Sequence, residues 1–141
     1  MDDRADKMAV ILYSGTVDKL MAAVTLVTGG VAMGMDVNLF ITYWGLLALR
    51  KGDHLTNMKI SKDFEEFRDP MMAAMQAKKV PSWFDTLTQA KELGDLHVLA
   101  CSQTMELLDI KMSDMEDIVD DTLGVAGFID LAQDAKITLF I

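Results

Sequence analysis

Cysteine, histidine and proline are scarce in this sequence. Its 141 residues include one cysteine, Cys101, two histidines, His54 and His97, and two prolines. A lone cysteine excludes an internal disulfide, so the chain is not a secreted disulfide scaffold. One cysteine and two separated histidines also fall short of the three or four clustered ligands of a typical zinc site. We therefore expect no metal site and no resident cofactor.

Long hydrophobic runs and nucleotide-binding motifs are missing as well. The longest uncharged runs, residues 20–35 and 37–49, are shorter than the ~18–20 residues that a spanning helix needs, so no transmembrane segment is expected. The start, "MDDRADK", is charged and lacks the apolar region of a signal peptide, which favours a cytoplasmic location. The stretch "TGGVAMG" does not fit G-x-G-x-x-G, and no phosphate-binding P-loop is present.

Positive charge is also in short supply. The chain carries 13 Lys and Arg against 22 Asp and Glu, for a net charge of −9. Nucleic acid is therefore excluded as the main partner, because phosphate binding needs clustered Lys and Arg. Residues 101–141 are the most acidic part, with nine acids and two lysines. They form either a solvated surface or a face for a basic protein partner.

Apolar strand-like runs alternate with helical patterns along the chain. Strands are predicted at residues 8–13, 37–42, 96–100 and 136–141, with a further short strand at 118–119. Helices are predicted between them, including 82–93, 101–108 and 124–135. This alternation predicts a single α/β domain over residues 1–141, with three α/β/α layers and a mainly parallel, flavodoxin-like sheet of about five strands. Residues 52–81 are predicted to be an insertion over the strand ends.

Candidate site residues follow the predicted strands, at the edge where such sheets bind ligands. They form three groups: Ser14, Gly15 and Thr16; Tyr43, Trp44 and Gly45; and Cys101, Ser102, Gln103 and Met105. The turn near Gly124 is a fourth candidate position. His97 is four strand residues before Cys101, which puts it roughly 13 Å away and too far for a catalytic Cys–His pair.

Cys101 itself has two interpretations from spacing alone. At the start of a helix, free backbone N–H groups and the helix dipole favour a thiolate and a bound persulfide. Equally, a single cysteine is often a small buried apolar residue. The spacing does not decide between them.

Three segments carry a family resemblance: "ILYSGTVDKLMAAVTLVTGGVAMGMDVNLFITYWGLLALRK", "VLACSQTMELLDI" and "LGVAGFIDLAQDAKITLFI". They cover about half of the chain. Together they resemble the DsrE/DsrF-like sulfur-relay family, in particular its larger DsrE-type subgroup. The strand, Ala-Cys and Met-containing helix of the second segment are the most specific part. Several proteins that resemble this subgroup are described as peroxiredoxin-like, although the family's chemistry does not require it.

The resemblance implies a sulfur carrier or sulfurtransferase that holds a persulfide on Cys101. It implies TusA-like or rhodanese-like protein partners, and a homo-oligomer, a trimer or larger, which the mean hydropathy of +0.22 also favours. Without a second cysteine, sulfur must arrive from and leave to another molecule. Two alternatives remain: a non-catalytic interaction subunit with an inert cysteine, and a small-molecule or nucleotide-binding module of flavodoxin-like type.

Overall fold

A five-stranded, all-parallel sheet forms the centre of the molecule. The computed structural model describes residues 5–141. The strands are β1 (Lys7–Leu12), β2 (Asp36–Ile41), β3 (Leu96–Cys101), β4 (Asp121–Leu123) and β5 (Ile137–Phe140), in the spatial order β4-β3-β2-β1-β5. The predicted α/β class and parallel sheet are confirmed.

Within residues 5–141, six α-helices connect or flank the strands. They are α1 (Val17–Ala32), α2 (Tyr43–Ala48), α3 (Arg68–Ala77), α4 (Trp83–Leu93), α5 (Ser102–Leu107) and α6 (Val125–Ala132). The longest, α1, buries residues at helical spacing, including Leu20, Val24 and Val27. It ends shortly before Gly34, whose φ of 76° suits glycine better than other residues.

The two faces of the sheet are covered unequally. On one face, side chains such as Val10, Leu39 and Val98 are fully buried in a large core that α1 and α4 share. Because side chains alternate along a strand, the intervening residues face the other side. There Ala9, Phe40 and Cys101 form a smaller cluster with Phe128 of α6. The single cysteine therefore lies on the thinly covered side of the sheet.

The prediction of a short strand at residues 118–119 was wrong. Ile118 and Val119 are buried in the core but lie in irregular backbone, and β4 begins at Asp121. The two residues are apolar because they pack in the core, and the sequence pattern does not distinguish such a buried loop from a strand. The actual edge strand, Asp121–Leu123, has two exposed residues and lacks that signal.

The segment between α2 and α4 has its own structure. It contains two 3-10 turns, Asp53–Leu55 and Lys62–Phe67, before α3. Part of it is tied to the start of α1. The Val17 N–H donates to the Lys59 carbonyl at 2.6 Å, and Asn57 Nδ2 donates to the Gly15 carbonyl at 3.0 Å. These bonds hold residues 57–59 beside the carboxyl edge of the sheet.

The Asp18 carboxylate makes a third link between α1 and this segment, through Ser61. The ionised form of Asp18 strengthens this link. Burial alone raises the pKa of Asp18, but hydrogen bonds from the Ser61 side chain, Thr16 and backbone N–H groups outweigh burial and lower that pKa. The Ser61 Oγ and N–H lie 2.6 and 3.2 Å from the two Asp18 oxygens. Since the folded pKa is below the unfolded one, this contribution is present above the unfolded pKa and is lost as the pH falls through the folded pKa.

We therefore expect Asp18→Asn to lower the free energy of unfolding at neutral pH by about 0.5–1 kcal/mol, a range reduced for the exposure of the carboxylate. The loss should shrink as the pH falls through the folded pKa. Urea unfolding at neutral and acidic pH measures this. Asp63→Asn is the control, since Asp63 is exposed and lies in the same segment. Equal effects of the two variants at neutral pH would contradict the tie.

Candidate functional site

Cys101 ends β3 and is the N-cap residue of α5. Only 4% of the residue is exposed, and it belongs to the small apolar cluster with Ala9, Phe40 and Phe128. The Phe40 and Phe128 rings are stacked, with centroids 4.6 Å apart. The thiol is thus at the carboxyl edge of the sheet, as predicted, but on the side that α6 covers.

Two neighbouring strand ends adjoin Cys101. Cys101 pairs with Leu123 of β4, so Gly124 comes next to Ser102; a Cβ on Gly124 would lie 3.8 Å from Ser102 Oγ. On the other side, the Tyr43 N–H donates to Thr104 Oγ1 at 3.3 Å, which links the end of β2 to α5. Tyr43 has a φ of 44°, a left-handed conformation that is uncommon for an aromatic residue.

A separate cleft of about 650 Å³ opens at the end of β1. Four of the predicted residues line it: Ser14, Gly15, Thr16 and Trp44. The opposite wall comes from residues of the 53–59 segment, including Asn57 and Lys59.

The remaining predicted residues do not line this cleft. Ser102 and Gln103 are exposed at the start of α5, whereas Met105 is buried in the larger core. Gly45 is buried against β1, where a Cβ would lie 2.4 Å from the Leu12 carbonyl oxygen. The carboxyl edge therefore holds two distinct places, the thiol and the cleft.

Four exposed aromatic rings form a patch at the same edge, which we call the aromatic patch. It consists of Tyr13, Tyr43, Trp44 and Phe140. The Tyr13 ring lies 5.5 Å from Tyr43, 6.5 Å from Trp44 and 5.7 Å from Phe140 between centroids. Phe140, which is 68% exposed, was not predicted as a candidate, because candidates were taken from the residues after each strand and Phe140 lies inside the predicted strand 136–141.

Both histidines have other partners. His97 Nε2 lies 3.0 Å from Asp36 Oδ1, and the His54 ring stacks on Phe84 with centroids 3.8 Å apart. Among residues 5–141, no cluster of three or more His, Cys, Asp or Glu side chains is arranged to hold a metal ion. None of the helices in that range is long and apolar enough to cross a membrane.

The sequence matches the model of a known protein family, and solved structures share the fold of the chain. The model of the DsrE/DsrF/DrsH-like family matches residues 4–66 and 54–140. The chain is similar in fold to the ychN protein from E. coli, with a TM-score of 0.64, 12% identity, and 96% and 99% of the two chains covered. It is also similar to MTH1491 from Methanobacterium thermoautotrophicum, with a TM-score of 0.56, 11% identity and 91% of each chain covered.

Two relatives are similar in sequence over almost their whole length. YrkE of Bacillus subtilis (strain 168) is 30% identical over an alignment of 162 residues that spans 100% of both chains. The sulfur carrier protein DsrE2 of Allochromatium vinosum is 26% identical over 156 residues, covering 96% of this chain and 98% of DsrE2. The family match over nearly the whole chain and the identity to YrkE lead to one conclusion: the chain belongs to the DsrE/DsrF/DrsH-like family.

Proposed function

We propose that this protein is a sulfur carrier that holds sulfane sulfur as a persulfide on Cys101 and passes it to a protein partner. The observation that carries the proposal is the position of Cys101. It is the only cysteine of a DsrE-family chain, and it ends an inner strand at the carboxyl edge of the sheet, where parallel sheets usually carry their sites. A relative named as a sulfur carrier supports the same chemistry.

The transfer consists of two thiol–persulfide exchanges. In the first, the Cys101 thiolate attacks the outer sulfur of a donor persulfide; the donor S–S bond breaks, and the donor leaves as a thiolate. In the second, an acceptor thiolate attacks the outer sulfur on Cys101, which leaves as a thiolate in turn. No net oxidation occurs. Because the chain has one cysteine, both exchanges are intermolecular.

The surroundings of Cys101 suit storage of such a group. Enclosure in the apolar cluster with Phe40 and Phe128 keeps water and stray thiols away. Since Cys101 is 4% exposed, exchange requires local opening of the α6 side, and we expect the partner to exploit that opening.

The proposed partners are TusA-like or rhodanese-like proteins. Ser102 and Gln103 are exposed immediately after the thiol, and Tyr43 is exposed beside α5, so these residues are available to a docked partner. The acidic surplus in residues 101–141 favours a partner with a basic contact surface.

We also propose that the chain is a homo-oligomer. Four large apolar residues of the thin side of the sheet and of its edge strand are at least 39% exposed: Val125, Ile129, Ile137 and Phe140. Such a surface is typical of a protein–protein contact. Light scattering should give at least three times the 15.6 kDa chain mass, and Ile129→Asp should lower it. A wild-type mass of 15.6 kDa at micromolar concentration would end this proposal.

Loading with polysulfide tests the sulfur chemistry. The intact mass of the wild type should rise by one sulfur atom, and reductant should reverse the gain. Cys101→Ser should stay unloaded yet fold normally by circular dichroism, because Ser is nearly isosteric and the thiol forms no disulfide. A folded wild type that gains no sulfur, or a Cys101→Ser variant that gains as much, would reject the proposal.

A further inference from the structure

The cleft at the end of β1 lies where a parallel sheet usually binds small molecules. In the order β4-β3-β2-β1-β5, strand β1 has β2 on one side and the last strand, β5, on the other. The strand order therefore reverses between β1 and β5, so the loop that follows β1 borders the usual position of a ligand crevice. The cleft is lined from Tyr13 to Thr16, directly after β1. Its volume of about 650 Å³ is within the range of small-molecule sites.

The charge inside the cleft is opposite to that of the whole protein. Lys19, Lys59 and Arg50 line it, and among residues 5–141 Asp53 is the only acid in the lining. Asp53 is already paired with Arg50, whose Nε lies 3.0 Å from Asp53 Oδ2. Within residues 5–141, neither Lys19 nor Lys59 has a carboxylate within ion-pair distance. A protein with a net charge of −9 thus has, on one concave surface, two lysines without an ion-pair partner in the described part of the chain.

The remaining walls offer apolar contact and are held in place. Tyr13 and Trp44 contribute aromatic rings, and Leu47 adds aliphatic surface. The hydrogen bonds from Val17 to Lys59 and from Asn57 to Gly15 fix the two sides of the cleft relative to each other. A preformed cleft loses little entropy when a ligand binds.

We propose that this cleft binds a small organic anion that carries an aromatic or apolar portion. The anionic group, a carboxylate, sulfonate or phosphate, contacts Lys19 and Lys59, and the apolar portion packs against Trp44 and Tyr13. Cys101 does not line the cleft, so this site is separate from the thiol and does not depend on the proposed sulfur chemistry.

A pair of dyes that differ in one charge tests the inference. Anilinonaphthalene sulfonate and phenylnaphthylamine share their ring system, but only the first is an anion. In fluorescence titrations of the full chain, the sulfonate should bind saturably, at one site per chain and more tightly than the neutral dye. Lys19→Met combined with Lys59→Met should weaken the sulfonate about tenfold and leave the neutral dye within about twofold, a size expected for two exposed charge contacts.

Matched variants separate the cleft from other surfaces. Both lysines are exposed, so the double variant should fold, and circular dichroism checks this. Lys62→Met combined with Lys78→Met removes two exposed lysines outside the cleft. This second pair should leave the affinity for both dyes unchanged. Phe64→Ser, which removes an exposed ring outside the cleft, should also preserve binding of the sulfonate dye. The inference is overturned by an absence of saturable sulfonate binding, by equal losses in the two lysine pairs, or by loss of binding in Phe64→Ser.

Discussion

Phe128→Ala should make Cys101 react with an alkylating reagent at least about tenfold faster than in the wild type, since even 1.4 kcal/mol of easier opening gives that factor. The reason is the small cluster on the thin side of the sheet. Phe128 is the residue of α6 that is buried there, and its ring stacks on Phe40. Removing the ring takes away most of what α6 buries against the sheet, so the side of the sheet that holds the thiol opens more often.

A matched loss of stability distinguishes local opening from general unfolding. Phe128→Ala should lower the free energy of unfolding by about 3 kcal/mol, as large-to-small core substitutions do. Leu87→Ala should cost a similar amount, because Leu87 is 1% exposed, but it lies in α4 on the opposite face. Alkylation measured by mass in native buffer should be much faster in the Phe128 variant than in the Leu87 variant. Equal rates in both would show that α6 does not gate the thiol.

Gly45→Ala should lower the free energy of unfolding by about 3 kcal/mol, at the upper end of the usual cost of overpacking. Helix α2 passes so close to β1 that a Cβ at position 45 would lie 2.4 Å from the Leu12 carbonyl oxygen and 2.8 Å from its Cγ. The backbone oxygen cannot move aside without disturbing the sheet. Since α2 contributes Tyr43 and Trp44 to the carboxyl edge, the same change should also displace the aromatic patch.

Gly29→Ala is the control for that substitution. Gly29 lies within α1, is exposed, and has no atom within 4 Å of its added Cβ. Alanine there should stabilise the protein by about 0.5–1 kcal/mol through its better helix propensity. Urea unfolding of both variants measures the difference. A Gly45→Ala protein as stable as the wild type would show that α2 is free to shift away from β1.

Local sequence signals were enough for the class and order of most elements. The apolar runs of β1 and β2 are largely buried on both sides, and that of β3 is buried on one side. The buried residues of α1 recur at helical intervals. Strand β4 could not be located in the same way. Its pairing with β3 depends on backbone hydrogen bonds and register rather than on apolar side chains.

The sequence was likewise enough to predict that the candidate residues lie at the carboxyl edge of the sheet. It was not enough to predict that the Cys101 thiol and the cleft are separate places on that edge. Parallel strands bring their ends together whatever their side chains, so Ser14, Tyr43 and Cys101 could be assigned to one edge. Which face each side chain occupies depends on the register of the sheet. Phe128 lies within the predicted helix 124–135, but its contact with the Cys101 cluster is a long-range property that local spacing does not reveal.

The most direct test of the account is delivery of the sulfur. Wild-type protein is loaded with one sulfur atom, freed of excess polysulfide, and mixed with an equimolar, reduced TusA-like protein; intact masses of both chains are then followed with time. The account predicts that the loaded chain loses one sulfur atom as the acceptor gains one, and that Cys101→Ser treated identically delivers none. Sulfur that stays on the wild-type chain with this acceptor and with a reduced rhodanese-like one, or that is delivered equally by the Cys101→Ser variant, would contradict it.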